Sequence, residues 1–230
     1  MTITVRLSRR LKDKKEVEAD DGALVWELWV RTSAPENPAP AQPYAYAERL
    51  LPPGGLKEYR KSRGDGARHF VLWADRHRQQ ALARVVTRPA PEGQAPTYEI
   101  LGAAGESLAV VTRKRALTGG CRTRWTVQQV GGQPAVGRKG NPFWWAVWWL
   151  ILPIQIVIAV GSIIGGGDIA RTPRRIKWRS EGRGVLDWTD NLNLAVADPG
   201  HWDPRVTAGL VTLLKSWDGI LGDSWDKEND

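Results

Sequence analysis

The stretch from Asn141 to Gly167 constrains this chain more than any other, because it holds no charged residue. Its most apolar part, Phe143 to Ile164, would measure about 33 Å as one helix, enough to cross a hydrocarbon core of about 30 Å. Pro153 sits near its middle, and Gln155 and Ser162 are its strongly polar side chains. Four of the chain's 13 tryptophans, Trp144, Trp145, Trp148 and Trp149, crowd its first turns. Tryptophan favours a membrane–water boundary, since its ring is apolar and its indole N–H needs a polar partner. The alternative is a helix buried in a soluble core, but such helices are usually shorter and more polar. The pattern predicts a helical segment in contact with a membrane.

Around this stretch the sequence is polar. The chain has 230 residues, enough for a sizeable core, and a mean hydropathy of -0.39 despite its apolar run. The net charge of +8 suits an anionic partner, either lipid headgroups or nucleic acid, or is simply a solvated basic surface. The aromatic residues gather in the apolar run instead of interleaving with arginines, which argues against nucleic acid. Cys121 is the single cysteine, so no internal disulfide forms and nothing indicates an oxidising compartment. The first ten residues lack the apolar core of a secretory signal. The expected location is a membrane, at its cytoplasmic face.

Most of the chain reads as β-hairpins. Ile3, Val5 and Leu7 alternate with polar residues in a first strand, Thr2 to Leu11, and Leu24, Trp26, Leu28 and Val30 do so in a second, Ala23 to Arg31. The charged run between them, from Arg9 to Asp21, reads as a solvated loop. Ser33 to Pro43 reads as a Pro-rich loop, and Tyr44 to Arg63 as helical at best, broken at Pro52-Pro53-Gly54-Gly55. From His69 onward two hairpins share a plan of strand, turn, Leu-Ala and Val-Val-Thr-Arg, at Phe70 to Arg88 and Tyr98 to Arg113. A third hairpin turns at Gly131-Gly132 between Arg124 and Arg138. A fourth is expected from Arg175 to Trp188, and a last strand from Leu192 to Val196.

The end reads as a helix. Asp203 is a cap, Pro204 fits the first helical position, and Val206, Leu210, Leu213, Leu214, Trp217, Ile220 and Leu221 follow the 3.6-residue period. Ala208, Gly209 and Val211 widen the apolar face almost to a full cylinder, so the helix is buried on most sides. Lys215 and Asp218 argue against a membrane span there. The acidic tail from Asp223 to Asp230 is expected to fray.

Hairpins ending in one very apolar helix predict a mainly β fold: a closed antiparallel barrel that hides its strand edges around that C-terminal helix, with an inserted apolar membrane-contacting helical segment. The expected organisation is one domain over residues 1–221, with the central helix at 204–221, the apolar insertion at 141–167 and an acidic tail at 222–230.

At Tyr98-Glu99-Ile100-Leu101 with Gly105 and Leu108-Ala109, at Arg124-Trp125-Thr126-Val127 with Gly137, and at the helix from Asp203-Pro204-Arg205 to Leu214, the chain resembles the tubby C-terminal-like superfamily. Within it the resemblance is to the LURP-one-related and phospholipid-scramblase-like branch, over roughly His69 to Leu221 outside the apolar insertion. It implies a barrel around a central helix, contact with phosphoinositides or other anionic lipids, and no settled enzymatic activity. The acidic cluster of the family's calcium-binding segment has no counterpart here, and the apolar insertion departs from the plain barrel.

A barrel with strands on both sides of the insertion requires that the insertion leave and return on one face. Pro153 divides it into two arms of about ten residues, each roughly 15 Å as helix. Arg138 and Lys139 precede it, and Arg171, Arg174, Arg175, Lys177 and Arg179 follow it. Basic residues on both flanks favour a re-entrant or interfacial hairpin over a single span, the main rival. These basic residues, with Trp144, Trp145, Trp148 and Trp149, form the expected lipid-binding set; ordinary charged strand faces are the alternative.

Catalytic chemistry finds little support. His69, His77 and His201 lack metal-ligand spacing and read as solvated turn residues, and Cys121 has no CxxC partner. Gly222-Asp223-Ser224 follows the last helix and does not read as a nucleophile elbow. No cofactor, metal or catalytic residue is expected. The expectation is a non-enzymatic, membrane-tethered lipid-binding or scaffold protein. A scramblase-type lipid transporter is the alternative, and a hydrolase a distant one.

Overall fold

Alternation of inward buried and outward exposed residues, broken at a few bulges, underlies the architecture seen in a computed structural model, which describes residues 1–9, 23–33, 40–89, 95–115, 122–140, 175–189, 193–217 and 224–227. The strands are β1 (Thr2–Arg9), β2 (Trp26–Ser33), β3 (Gln42–Arg49), β4 (Phe70–Trp73), β5 (Ala81–Arg88), β6 (Thr97–Gly102), β7 (Ser107–Lys114), β8 (Arg124–Gln129), β9 (Ala135–Lys139), β10 (Ile176–Ser180), β11 (Arg183–Trp188) and β12 (Asn193–Val196). Among the described residues two helices accompany them, α1 (Gly55–Gly64) and α2 (Pro204–Ser216), with a 3-10 turn at Trp225–Lys227. Each strand pairs antiparallel with its sequence neighbour, and β1 pairs with β12 to close the barrel. The expected closed antiparallel barrel and its C-terminal helix are therefore present.

The two similar hairpins stand side by side as β4–β5 and β6–β7. Each carries a register shift just before its turn, at Leu72/Trp73 and at Ile100/Leu101. One expectation fails here: Gln42–Arg49 is a strand, and helix is confined to Gly55–Gly64. Ala45 and Ala47 point inward and are buried, whereas Tyr46 faces outward and is half-buried; Tyr44, the extra residue at the β2–β3 bulge, packs half-buried against the core. This inverts the usual apolar pattern.

Helix α2 fills the lumen. Every residue from Val206 to Ser216 is buried, and it packs on β1, β5, β6, β7 and β12. Burial of each large side chain such as Leu210 or Leu213 contributes about 1.5–3 kcal/mol. The Asp203 carboxylate accepts the Arg205 backbone N–H at 2.8 Å, capping the helix as expected, and Gln129 accepts the Asp203 N–H at 2.8 Å. The other end meets cations, which suit the negative pole of a helix. Arg63 donates to the Ser216 carbonyl at 2.8 Å, and the buried Lys215 ammonium donates to the Leu7 carbonyl at 3.0 Å, over the Trp26 ring.

The tail corrects another expectation, for Ser224, Trp225 and Asp226 are buried instead of frayed. Trp225 donates to the Thr212 carbonyl at 2.9 Å and packs against Phe70 and Trp26. Asp226 pairs with Arg63 at 2.7 Å, lies 3.8 Å from Arg68 and accepts the Tyr59 hydroxyl at 2.9 Å. Burial pulls the Arg68 guanidinium down to about 10 against the restoring charge of Asp226, and burial followed by Asp226 pushes the Tyr59 phenol up. Ser224 accepts from Arg63 at 2.7 Å, so its hydroxyl is a structural partner of the tail. Together α1 and the tail seal one sector of the barrel mouth around the C-terminal end of α2.

The two ends of the barrel differ. The strand ends that flank 10–25, 50–69, 89–96, 115–123, 140–175 and 189–192 are at the end where α2 finishes. The opposite end holds the strand ends that flank 34–41 and connections 74–80, 103–106, 130–134, 181–182 and 197–203, together with the capped start of α2. Among the described residues, no helix is long and apolar enough to cross a membrane. The apolar insertion 141–167, Cys121, Asp218 and the charged run at 10–21 lie outside the described residues, as do residues 218–221 of the expected helix.

Candidate lipid-facing site

The barrel brings the two ends of the insertion together. Strands β9 and β10 pair with Ile176 opposite Lys139 and Lys177 opposite Arg138. Beyond that register the Gly140 N–H donates to the Arg175 carbonyl at 2.8 Å. Gly140 has φ 81°, a left-handed conformation that a side chain would strain. Its carbonyl accepts from Arg122 at 2.9 Å, and Lys139 N–H donates to the Thr123 carbonyl at 2.9 Å. The chain thus leaves and rejoins the barrel at one hydrogen-bonded point.

Gly137 locks this joint from inside. A Cβ there would stand 2.8 Å from the Ile176 side chain and 2.9 Å from the Trp178 ring. Trp178 is completely buried, so its ring has nowhere to yield.

The outer wall beside this point carries a row of positive charge. Lys114 on β7 stands opposite Arg124 on β8, Arg124 opposite Arg138 on β9, and Arg138 opposite Lys177 on β10. Adjacent strands are about 4.8 Å apart, so the row is about 14 Å long. Lys114, Arg138 and Lys177 are exposed and Arg124 is half-buried. Like charges directly opposite one another destabilise a sheet. No described carboxylate forms a salt bridge with any of the four. Asp187, which faces Lys177 across β10–β11, is instead engaged by Arg175 at 2.5 Å. Arg138 and Lys177 are each two residues from the root of the insertion, about 7 Å along a strand.

Of the expected lipid-binding residues, Arg138 and Lys177 meet in this row. Arg179 lies on the same outer face of β10, two residues further from the root and beyond a bulge at Trp178/Arg179. Lys139 belongs to the inward set, opposite buried Ile176, and lines the barrel mouth. Arg175 holds Asp187. Trp144, Trp145, Trp148, Trp149, Arg171 and Arg174 lie outside the described residues. Lys114 and Arg124 escaped the sequence reading, since cross-strand register alone places them beside Arg138.

The remaining candidates stay apart. His77 and His201 are exposed in turns, but His69 is half-buried ahead of β4, where burial lowers its pKa; the solvated-turn reading does not hold for it. Among the described residues no group of His, Cys, Asp and Glu is arranged to hold a metal ion. No protein-family model, no curated protein and no solved structure matches this chain.

Proposed function

We propose that the chain is a membrane-tethered lipid-binding or scaffold module, held by its apolar insertion with the long-connection end of the barrel towards an anionic surface. The observation that carries this reading is the placement of Lys114, Arg124, Arg138 and Lys177 in one row at the root of an uncharged, tryptophan-rich segment. The repulsion within that row has an evident use if lipid phosphates neutralise it. Each such charge near an anionic leaflet contributes about 1 kcal/mol. Because both ends of the insertion meet at Gly140 and Arg175, an even number of crossings, none or two, keeps the barrel on one side. That side is the cytoplasmic one by the positive-inside tendency.

Membership of the tubby-like superfamily belongs to the same proposal; a closed barrel around a buried helix is the architecture it calls for. The proposed role is non-enzymatic. Lipid transport through the barrel gains no support, because α2 fills the lumen.

The hydrogen-bonded root supplies the test. Residues 141–174 are replaced by a short Gly-Ser turn joining Gly140 to Arg175. The variant should keep the far-UV spectrum and cooperative unfolding of a β-barrel but move to the soluble fraction, while the native chain stays with membranes after carbonate extraction. Full recovery of the native chain in the soluble fraction, or a folded deletion variant that still resists carbonate, would sink the tether.

A further inference from the structure

Four large apolar side chains are exposed among the described residues: Met1, Leu50, Leu51 and Val130. Met1 and Val130 stand singly at the end where α2 starts, which is ordinary for a protein surface. Leu50 and Leu51 are adjacent, 52% and 44% exposed, and lie just past β3 at the end where α2 finishes. The strand order sets them across the barrel from the apolar insertion, since β3 is six strands from β9 counted either way round.

The backbone holds the pair in place. The Leu50 N–H donates to the His69 carbonyl at 2.9 Å, and the Gly55 N–H donates to the Pro52 carbonyl at 2.8 Å. Between these two bonds Pro52 and Pro53 fix their own φ angles. Two leucines held out by a stiff turn lose little freedom when a partner covers them.

Helix α1 starts directly after this turn and supplies charge. Tyr59 and Arg63, one turn apart, face the barrel: Tyr59 is buried and Arg63 holds Asp226. Lys57 and Lys61, also one turn apart, lie on the opposite side with Arg60 and are exposed. Neither lysine forms a salt bridge among the described residues. Glu58, the acid between them in sequence, accepts the Gly54 N–H at 2.8 Å. An apolar tip thus stands beside a cationic shoulder.

We infer that Leu50 and Leu51, with Lys57 and Lys61, form a second membrane contact: a shallow wedge whose leucines enter the interfacial layer of an anionic bilayer while the lysines meet its phosphates. The charge selects the partner. Protein interfaces are depleted in lysine, whereas an apolar tip flanked by lysines is the combination that an anionic leaflet attracts. The inference rests on the proposed reading that this end of the barrel faces the membrane. It adds what the insertion alone does not give. An insertion rooted at Gly140 and Arg175 is a single pivot, and a contact across the mouth from it fixes the tilt of the barrel.

The test uses the full chain with Cys121→Ser, reconstituted in vesicles of phosphatidylcholine and phosphatidylserine. A nitrobenzoxadiazole label is placed on Leu51→Cys or, as a control at the other end, on Val130→Cys. Flotation of the vesicles reads the tether, and the label reads the wedge. The label at Leu51→Cys should shift to the blue and be quenched by spin labels high on the acyl chains, and the label at Val130→Cys should do neither. Lys57→Gln with Lys61→Gln should lower the ratio of docked to undocked label about thirtyfold, the loss of two charges at an anionic leaflet, without ending flotation. If Leu51→Cys does not fold, Leu50→Cys takes its place. A chain that floats while the label stays open to a water-soluble quencher, present on both sides, overturns the wedge and leaves the tether standing. Shielding from that quencher without quenching by the spin-labelled lipid also overturns it, for the leucines would then be covered by protein, this chain's own or a second copy's. A chain that does not float sinks tether and wedge together.

Discussion

Arg63 and Asp226 meet at 2.7 Å although 163 residues separate them, and their contact fastens the end of the chain to the barrel mouth. Asp226 is 1% exposed, so its loss leaves two guanidinium groups in a site built around a carboxylate. Asp226→Ala should destabilise the protein by about 3–5 kcal/mol, the usual consequence of removing one partner from a buried ion pair. A urea midpoint within error of the native value would show that the tail does not contribute to global stability.

The basic row makes a prediction with two opposed parts. Arg138→Gln with Lys177→Gln should weaken binding to phosphatidylserine vesicles by about 2 kcal/mol, or roughly thirtyfold, at low salt. The same pair should leave thermal stability unchanged or slightly higher, because it removes a cross-strand repulsion. Vesicle co-sedimentation and a melting curve on one preparation read both parts. Equal vesicle binding by variant and native chain would remove the row from the lipid-facing site.

Gly137→Ala should cost about 1–3 kcal/mol through overpacking against the buried Trp178 ring. The damage should centre on the β9–β10 joint. Hydrogen exchange of the Gly140 and Trp178 amides should accelerate more than that of Ile100, on β6. Uniform acceleration across the barrel would place the effect in global stability instead.

Leu213 is fully buried in α2. Leu213→Asp should abolish cooperative folding or cost several kcal/mol, since the carboxylate would have no partner in the lumen. Leu213→Ala, which adds no charge, should cost about 2–5 kcal/mol. An unchanged melting temperature for either variant would contradict a lumenal helix.

The Asp203 cap supplies an acid-dependent term. Burial alone would raise its pKa, but hydrogen bonds from the Arg205 side chain and backbone outweigh it and hold the carboxylate below the usual range. A pKa depressed on folding gives stability that is full above the unfolded value of about 3.9 and fades as pH falls through the folded one. Asp203→Ala should therefore lower stability by about 0.5–2 kcal/mol at neutral pH, and by less below pH 3. A pH-independent difference between the two proteins would refute the electrostatic part.

The hairpins were legible because Tyr98, Ile100, Val85 and Val127 follow period 2 with glycine or polar turns between them. So was the lumenal helix, whose apolar residues leave no wet face. Strand β3 was hidden, for its inward residues Ala45 and Ala47 are small, its outward Tyr46 is aromatic, and a bulge at Tyr44 breaks the period. The tail was hidden because Trp225 and Asp226 sit in an acidic setting that resembles a solvated end. Half of the cation row was legible, since Arg138 and Lys177 flank the insertion; Lys114 and Arg124 join them only through strand register, which composition does not encode.

The pairing of β1 with β12 sets a timetable for synthesis. Until Val196 has left the ribosome, one side of β1 has no partner and the sheet cannot close. At about 5–20 residues per second, the wait from Arg9 to Asn193 is roughly 10–40 s. Within that interval the uncharged segment after Gly140 has already emerged. The nascent chain therefore presents its most apolar stretch before β12 exists to close the sheet.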